Sequence, residues 1–206
     1  MRGKLIVFEG PEGCGKTTQV RKTLSFLRKK GVKAVHLREP GGNVISEKIR
    51  DIILDPKHKK MCAKTEMLLY VAARAQIIEE KLMKLLKEGK VVLLDRFYPA
   101  TVVYQGYARG LDKGIIDTLN RYVLGGIRPD AVIVYDVSLK EAKKRMAVRK
   151  TRDRLESEND VFHKKVRKGY LAEAKKRKYK VIATDSKTAG GVFDETRAYL
   201  KKRKVV

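Results

Sequence analysis

The chain has 206 residues, of which 43% are hydrophobic, a length and composition typical of a globular protein with one core. The early apolar run Leu5 to Phe8 is too short for a signal peptide or a membrane span, and Cys14 and Cys62 lack disulfide or metal spacing, so we expect a cytoplasmic protein. The formal net charge of +25 suits a polyanionic partner or a phosphorylated substrate, although a solvated lysine surface explains it at least as well.

Short apolar segments alternate with helical patterns along the chain. The apolar segments predict β-strands over residues 4–9, 33–37, 90–95, 130–137 and 179–184. The helical patterns predict helices over residues 16–30, 44–54 and 65–88. Gly31 and Gly89 end the first and the last of these helices. Strands that alternate with helices of this length predict one α/β domain over residues 1–206, with a five-stranded parallel sheet flanked by helices in three layers.

A glycine-rich turn lies between the first predicted strand and the first predicted helix. Residues 10–17, GPEGCGKT, fit the pattern G-x-x-x-x-G-K-[ST], in which backbone N–H groups and a helix N-terminus hold phosphate oxygens. We expect Lys16 to reach the terminal phosphates of ATP and the Thr17 hydroxyl to bind Mg²⁺. Glu12 is unusual in such a loop, because a carboxylate repels phosphates. The predicted ATP-binding residues are Gly10, Pro11, Glu12, Gly13, Cys14, Gly15, Lys16, Thr17 and Thr18.

The rest of the chain favours a small kinase over other proteins that contain this loop. The order of the glycines argues against a dehydrogenase, and the sequence lacks the guanine-reading motif of switch GTPases. Asp95 and Arg96 follow the third predicted strand, at the edge of a parallel sheet where ligands bind. Arg96 could hold a phosphate through two hydrogen bonds and Asp95 could orient water on Mg²⁺, although a purely structural Asp–Arg pair is the alternative.

Six segments, in the same order along the chain, carry a resemblance to the thymidylate kinase family: FEGPEGCGKTTQ, REPGG, EKIR, TEMLLYVAARAQ, DRFYPATVVYQG and RDRLE. The resemblance implies a P-loop kinase fold that transfers a phosphoryl group from ATP to dTMP with Mg²⁺, in dTTP synthesis for DNA replication. It also implies a homodimer, and we expect no specific nucleic-acid partner and no membrane. The resemblance names the acceptor, which composition and spacing alone leave open.

The resemblance assigns a role to the carboxylate in the phosphate loop and to two aromatic residues. Glu12 would face away from the triphosphate and bind the 3′-hydroxyl of dTMP, which suits a group that only accepts hydrogen bonds. Tyr70 would stack on thymine, although a tyrosine on an apolar helix is more often a core residue. Tyr104 would pack on the deoxyribose and exclude a 2′-hydroxyl. The full predicted dTMP-binding set is Glu12, Arg38, Pro40, Arg50, Tyr70, Arg74, Arg96, Tyr104 and Gln105.

Other members of this set are assigned to the base and to the acceptor phosphate. Arg38 and Arg50 could serve the phosphate, while Pro40 would line the base pocket. Arg74 would lie near the base and its phosphate, and Gln105 would hydrogen-bond toward the base. The chain departs from many family members in having Tyr70 in place of Phe and Ala100 in place of Ser.

Members of the family keep a catalytic arginine either in the phosphate loop or in a flap that closes over it. Because Gly13 occupies the loop position, the resemblance assigns this role to the polar segment 149–159, which we expect to be an exposed, mobile flap. One of its three arginines could be surface charge only. The predicted catalytic residues are Lys16, Asp95, Arg96, Arg149, Arg152 and Arg154.

Two other functions stay open at this point. The chain could be a kinase for another nucleoside monophosphate or a nucleoside, which a panel of acceptors would reveal. Less favoured is a basic nucleic-acid-associated NTP-binding protein, whose affinity for nucleic acid would fall steeply with salt.

Overall fold

Five parallel strands form one sheet at the centre of the fold. The structure is a computed structural model that describes residues 3–148 and 152–205. The strands are Lys4–Glu9 (β1), Ala34–Arg38 (β2), Val91–Asp95 (β3), Ala131–Asp136 (β4) and Lys180–Ala183 (β5). Their spatial order is β2-β3-β1-β4-β5, so β1 lies in the middle with β3 and β4 beside it. The predicted five-stranded parallel sheet is therefore confirmed.

Helices connect the strands and lie on both faces of the sheet. They are Lys16–Lys29 (α1), Val44–Leu54 (α2), Ala63–Ile77 (α3), Met83–Lys87 (α4), Tyr98–Thr101 (α5), Lys113–Leu124 (α6), Leu139–Met146 (α7), Asp160–Arg177 (α8) and Ala189–Lys202 (α9). Within the described parts of the chain, no helix has the length and apolar composition needed to cross a membrane.

Alternate residues of the central strand enter two different apolar clusters. Ile6 packs in a cluster with Leu27 of α1, whereas the next residue, Val7, packs on the other face with Ile77 of α3. Successive side chains of a strand point to opposite faces, so β1 needs apolar residues at every position when helices cover both faces. This requirement explains why the strand segments are nearly continuous apolar runs.

Two π-helical segments interrupt the α-helical regions. Residues Ile78–Leu82 join α3 to α4, so the helix predicted over 65–88 is one continuous helical region with an internal π turn. Residues Val102–Ala108 continue directly from α5 and are largely buried. The sequence did not predict either π segment, since a stretch of one wider turn hardly changes the spacing of apolar residues.

The polar ends of three neighbouring strands meet at the carboxyl edge of the sheet. Glu9 ends β1, Arg38 ends β2 and Asp95 ends β3. The backbone N–H of Arg96, directly after β3, donates to the carbonyl of Phe8 at 3.0 Å. The parallel pairing thus brings the glycine-rich turn after β1 next to the Asp95–Arg96 pair.

The segment expected to be an exposed flap is partly buried. Residues 152–159 form turns, and Arg154, Leu155 and Glu156 are 8%, 5% and 8% exposed. Leu155 packs in an apolar cluster that also contains Tyr104. The expectation of an exposed segment is therefore wrong for residues 154–156, which are buried, with Arg154 bonded to Glu66 and Leu155 packed in the apolar cluster. The predicted catalytic residue Arg149 lies outside the described residues.

Candidate active site

A cavity of about 840 Å³ opens at the carboxyl edge of the sheet. Because it extends from the phosphate loop to α3 and the buried π segment 102–108, it can hold two ligands side by side. The predicted site residues that line it are Glu12, Lys16, Thr17, Arg38, Pro40, Arg50, Tyr70, Asp95, Arg96, Tyr104 and Gln105. The structure thus brings together residues from six separate segments of the sequence.

At one end of the cavity, the first turn of α1 faces the end of β3. The Thr17 hydroxyl donates to Asp95 Oδ2 at 2.8 Å, and Lys16 Nζ lies 4.0 Å from Asp95 Oδ1. Lys16 is only 7% exposed, so its ammonium is held close to the loop. Neighbouring hydroxyl and carboxylate oxygens are the ligand type that Mg²⁺ prefers, so Thr17 and Asp95 fit a metal carried in with nucleotide phosphates.

Other residues of the phosphate loop shape it or face elsewhere. Gly10 has a φ of 140°, and a Cβ there would lie 2.3 Å from the Tyr135 carbonyl oxygen, so a larger residue cannot replace it. Cys14 is 1% exposed and packs in the core, and burial raises the pKa of its thiol. Pro11 lines a second cavity, of about 410 Å³, whose wall also includes residues of α7 and α8. Thr18 is exposed.

Glu12 lies inside the cavity next to Arg96 and Tyr104. Its carboxylate forms an ion pair with the Arg96 guanidinium and accepts a hydrogen bond from the Tyr104 hydroxyl at 3.1 Å. The guanidinium carbon of Arg96 lies 5.1 Å from the centroid of the Tyr104 ring. Burial alone would lower the pKa of Arg96, but Glu12 together with Tyr104, Tyr170 and Glu9 outweighs burial and holds that pKa well above its usual value. The carboxylate therefore faces Arg96 and Tyr104 inside the cavity, and its binding of the acceptor sugar stays a prediction.

Two further arginines, Arg38 and Arg50, line the cavity. Arg38 Nη2 donates to Glu47 at 2.7 Å, and Arg50 Nη1 donates to the Pro40 carbonyl at 3.1 Å. Burial lowers the pKa of Arg50, and the nearby charge of Arg38 lowers it further. Two cations held this close to each other would be stabilised by an anionic ligand. Tyr70 also lines the cavity, and burial raises the pKa of its hydroxyl.

Arg74 lies behind the cavity wall, in a position that the sequence did not predict. It is 1% exposed and donates to Glu39 at 2.8 Å, to Asn120 at 2.7 Å and to Thr101 at 2.9 Å. Of these partners, Glu39 and Thr101 line the cavity. Burial raises the pKa of Glu39 to about 7 in spite of its Arg74 partner. Arg74 is not among the residues that line the cavity, whereas two of its partners are, so its expected direct contact with the base and its phosphate stays a prediction.

The described flap arginines differ in their surroundings. Arg154 donates to Glu66 at 2.5 Å and to the Ile53 carbonyl at 2.8 Å, so its charge is directed into α3 and α2 and away from the phosphate loop. Arg152 is exposed. The catalytic role of Arg154 stays a prediction, and the pairing of its guanidinium with a buried carboxylate argues against that role.

Glu66 is a central residue that sequence reasoning missed. Its carboxylate also accepts hydrogen bonds from Gln105 at 2.9 Å and from Arg109 at 3.1 Å. Burial raises the pKa of Glu66, but the hydrogen bonds from Arg109 and Gln105 outweigh burial and leave it below its usual value. The only sequence signal was a carboxylate beside the apolar residues Met67 and Leu68, because the partners of Glu66 are distant in sequence.

Arg145 is a second missed residue, on the donor side of the loop. Its guanidinium donates to the Gly13 carbonyl at 3.3 Å and to the Thr184 carbonyl at 2.8 Å. It therefore ties the phosphate loop to the segment that follows β5.

Comparisons with known proteins agree with this geometry. The family model described as thymidylate kinase matches residues 8–190. Proteins named thymidylate kinase from Thermoanaerobacter sp. (strain X514) and from Thermoanaerobacter pseudethanolicus are each 45% identical over 205 residues, which cover 97% of this chain and 100% of the relative. A crystal structure of thymidylate kinase from Ehrlichia chaffeensis superposes with a TM-score of 0.79 at 28% identity, covering 98% of this chain and 99% of that one. The chain belongs to the thymidylate kinase family, as its sequence predicted, and is a nucleoside monophosphate kinase.

Proposed function

We propose that this kinase phosphorylates dTMP to dTDP with ATP, a step of dTTP synthesis for DNA replication. One observation carries the proposal beyond family membership. A single cavity has Lys16 and Thr17 of the phosphate loop at one end and the Glu12–Tyr104 pair at the other. A carboxylate and a phenol ring at the acceptor end suit a nucleotide with a 3′-hydroxyl and no 2′-hydroxyl.

The donor phosphates would lie on the phosphate loop. Lys16 would neutralise charge on the transferred phosphoryl group, and the backbone N–H groups at the start of α1 would bind its oxygens. Mg²⁺, held with the phosphates by Thr17 and through water by Asp95, would supply further charge neutralisation. The hydrogen bond between Thr17 and Asp95 supports this assignment, because it places both oxygens in one position before a ligand binds.

The acceptor would occupy the rest of the cavity. Glu12 would accept a hydrogen bond from the 3′-hydroxyl, and the Tyr104 ring would fill the space that a 2′-hydroxyl needs. Tyr70 would stack on the base. Arg96 would hold the acceptor phosphate together with Arg50, which also lines the cavity. Burial and the neighbouring Arg38 lower the pKa of Arg50, and an anionic ligand would offset both effects.

The reaction needs little from the protein except position and charge. An oxygen of the dTMP phosphate attacks the γ-phosphorus of ATP, and the bond to the β–γ bridging oxygen breaks as ADP leaves. The attacking oxygen is already anionic, so no strong general base is needed. Arg96 lies near Gly10 of the loop, with its Nη1 donating to the Gly10 carbonyl at 3.1 Å, where it can neutralise both reacting phosphates. Arg152 is the described flap residue that is available to close over them.

We also propose a cytoplasmic homodimer. Two cysteines without a disulfide, Cys14 and Cys62, suit a reducing compartment. Exposed apolar side chains on α2, α3 and α6 supply a surface for a second copy. They are Ile45, Ile52, Leu68, Ile115 and Tyr122, with exposed fractions between 45% and 86%.

Release of ADP in the presence of Mg-ATP and a panel of monophosphates tests the proposed substrate. We expect dTMP to be used far better than AMP, CMP or GMP. Lys16→Ala should lower kcat by several orders of magnitude without unfolding the protein, since it removes charge neutralisation from the transition state. Turnover of AMP or CMP with none of dTMP would contradict the proposal. Salt-resistant DNA binding without nucleotide turnover would favour the nucleic-acid alternative.

A further inference from the structure

Two fully buried polar residues lie directly behind the active site and have no role in the scheme above. Glu9, the last residue of β1, is 0% exposed, and Tyr170 of α8 is 1% exposed. Neither residue is part of the wall of the large cavity. A buried carboxylate destabilises a fold unless its hydrogen bonds are well satisfied, so Glu9 needs an explanation.

Each oxygen of the Glu9 carboxylate accepts a hydrogen bond. Oε1 accepts a hydrogen bond from the backbone N–H of Phe97 at 2.8 Å, and Oε2 accepts one from the Tyr170 hydroxyl at 2.9 Å. The Tyr170 hydroxyl in turn accepts a hydrogen bond from Arg96 Nη1 at 2.8 Å. With Glu9 ionised, the Tyr170 hydroxyl accepts from Arg96 and donates to Glu9, because a guanidinium only donates and an ionised carboxylate only accepts.

Arg96 requires such support because its backbone is in a disfavoured conformation. Its φ is 67°, in the left-handed region that residues with a Cβ rarely adopt. Glu9 holds the peptide that follows Arg96, and Tyr170 holds the guanidinium at the end of its side chain. The guanidinium also pairs with Glu12, which by itself would draw it toward the cavity. The direction of the guanidinium is therefore set from two sides.

We propose that Glu9 and Tyr170 are positioning residues which hold the Arg96 guanidinium in place for the acceptor phosphate. This inference rests on the proposed function of Arg96. Tyr170 also links that guanidinium to α8, the helix that starts at Asp160, directly after the flap segment. Rigid placement of a charge where phosphates react is the main means of catalysis in phosphoryl transfer, so a small displacement of Arg96 should lower the rate.

The test uses the variant Tyr170→Phe. Calorimetry measures its affinity for dTMP and for thymidine, and steady-state kinetics measures its kcat. The variant keeps the ring and removes the hydroxyl. If the hydroxyl acts through Arg96 on a phosphate, dTMP affinity and kcat should each fall, with kcat/KM lower by about ten- to a hundredfold. Thymidine has no phosphate, so its affinity should not change. A merely structural role of Tyr170 would weaken the binding of both ligands.

Tyr135→Phe is a matched control. Tyr135 is a buried tyrosine of β4 whose hydroxyl is hydrogen-bonded to Thr196 at 2.9 Å, and it is not part of the cavity wall. This variant should have the same dTMP affinity, thymidine affinity and kcat as the wild type. In a protein that already carries Arg96→Lys, Tyr170→Phe should hardly lower kcat further, because its effect on kcat depends on the Arg96 guanidinium.

A second variant, Glu9→Gln, tests the other end of the chain of hydrogen bonds. It keeps the size of the side chain and should lower dTMP affinity more than thymidine affinity. Unchanged dTMP binding and kcat in Tyr170→Phe, equal losses for both ligands, or additive losses with Arg96→Lys would each overturn the inference while the wild-type activity stands. A wild-type protein that fails to use dTMP would overturn the proposed function and, with it, this inference.

Discussion

Four ion pairs between side chains lie in the wall of the cavity or next to it. A dTMP phosphate that binds Arg96 must therefore compete with Glu12, and a donor phosphate must compete with Asp95 for Lys16. Such pairing fixes the side chains in place, which lowers the entropy lost when a ligand binds. The pairs are Lys16–Asp95, Arg38–Glu47, Arg74–Glu39 and Arg96–Glu12.

The first prediction concerns Glu12→Gln. The amide keeps the shape of the side chain but weakens the hydrogen bond to the 3′-hydroxyl and the pairing with Arg96. A hydrogen bond to a charged group contributes about 1.5–3 kcal/mol, so kcat/KM for dTMP should fall by about ten- to a hundredfold. The KM for ATP should hardly change. Steady-state kinetics with dTMP and with 3′-deoxy-dTMP checks this, because the variant should discriminate less between the two.

Glu47→Gln is the control, since Glu47 pairs with Arg38 at the half-exposed rim and not with the acceptor sugar. It should keep discrimination against the 3′-deoxy analogue. Loss of ATP affinity in Glu12→Gln, with dTMP affinity unchanged, would mean that Glu12 belongs to the donor site.

The second prediction concerns the stability contributed by Glu39. Its pKa of about 7 in the folded protein lies above the ordinary value of 4.5, so the folded state binds more protons between these two pH values. Stability from this group is therefore fully present below about pH 4.5 and is lost as pH rises toward 7. The loss amounts to about 3 kcal/mol at most.

Urea unfolding at several pH values, in the wild type and in Glu39→Gln, measures this contribution. The neutral variant lacks the titration, so the free energy of unfolding of the wild type minus that of the variant should fall from pH 4.5 to pH 7. A difference that rises with pH would show that Arg74 holds the carboxylate ionised throughout this range.

At the scale of helices and strands, the sequence predicted what depends on local pattern. The strands, the phosphate loop and the helix over 44–54 follow from apolar runs, glycines and caps within a few residues of each element. The burial of Arg154 could not be predicted in this way, because its partner Glu66 is 88 residues distant along the chain. The same holds for Arg74, whose partners Glu39 and Asn120 come from other elements. Family resemblance predicted the residues of an acceptor site, but not these long-range pairs.

The third prediction separates two arginines of the flap segment. Arg154→Met roughly keeps the length of the side chain but removes the guanidinium that donates to the buried Glu66 carboxylate. We expect a loss of stability of about 1–3 kcal/mol, because the buried carboxylate loses one of its charged donors while Arg109 and Gln105 remain. Arg152→Met changes an exposed residue and should leave the melting temperature alone while lowering kcat. Thermal unfolding and kinetics of both variants check this. A stable Arg154→Met with a greatly reduced kcat would support the predicted catalytic role of Arg154.

At the scale of the whole molecule, two properties act against each other. The net charge of +25 makes two copies of the chain repel. Exposed apolar side chains on neighbouring helices favour association. Ile45 and Ile52 are seven residues apart on α2, as are Ile115 and Tyr122 on α6, so each pair lies on one side of its helix. Leu68 of α3 is exposed between these helices, which pack on α3.

The last prediction follows from this opposition. If these residues form a homodimer interface, sedimentation should show a dimer whose dissociation constant falls as salt rises from about 50 to 500 mM, since salt screens the repulsion between the copies. Leu68→Asp should shift the protein to monomers, because it places a charge in a surface that is otherwise dehydrated on association. Val161→Asp changes an apolar residue of α8 that is 60% exposed and lies outside this group, so it should leave the dimer intact. A wild-type protein that is monomeric at high salt would show that the apolar surface serves another purpose.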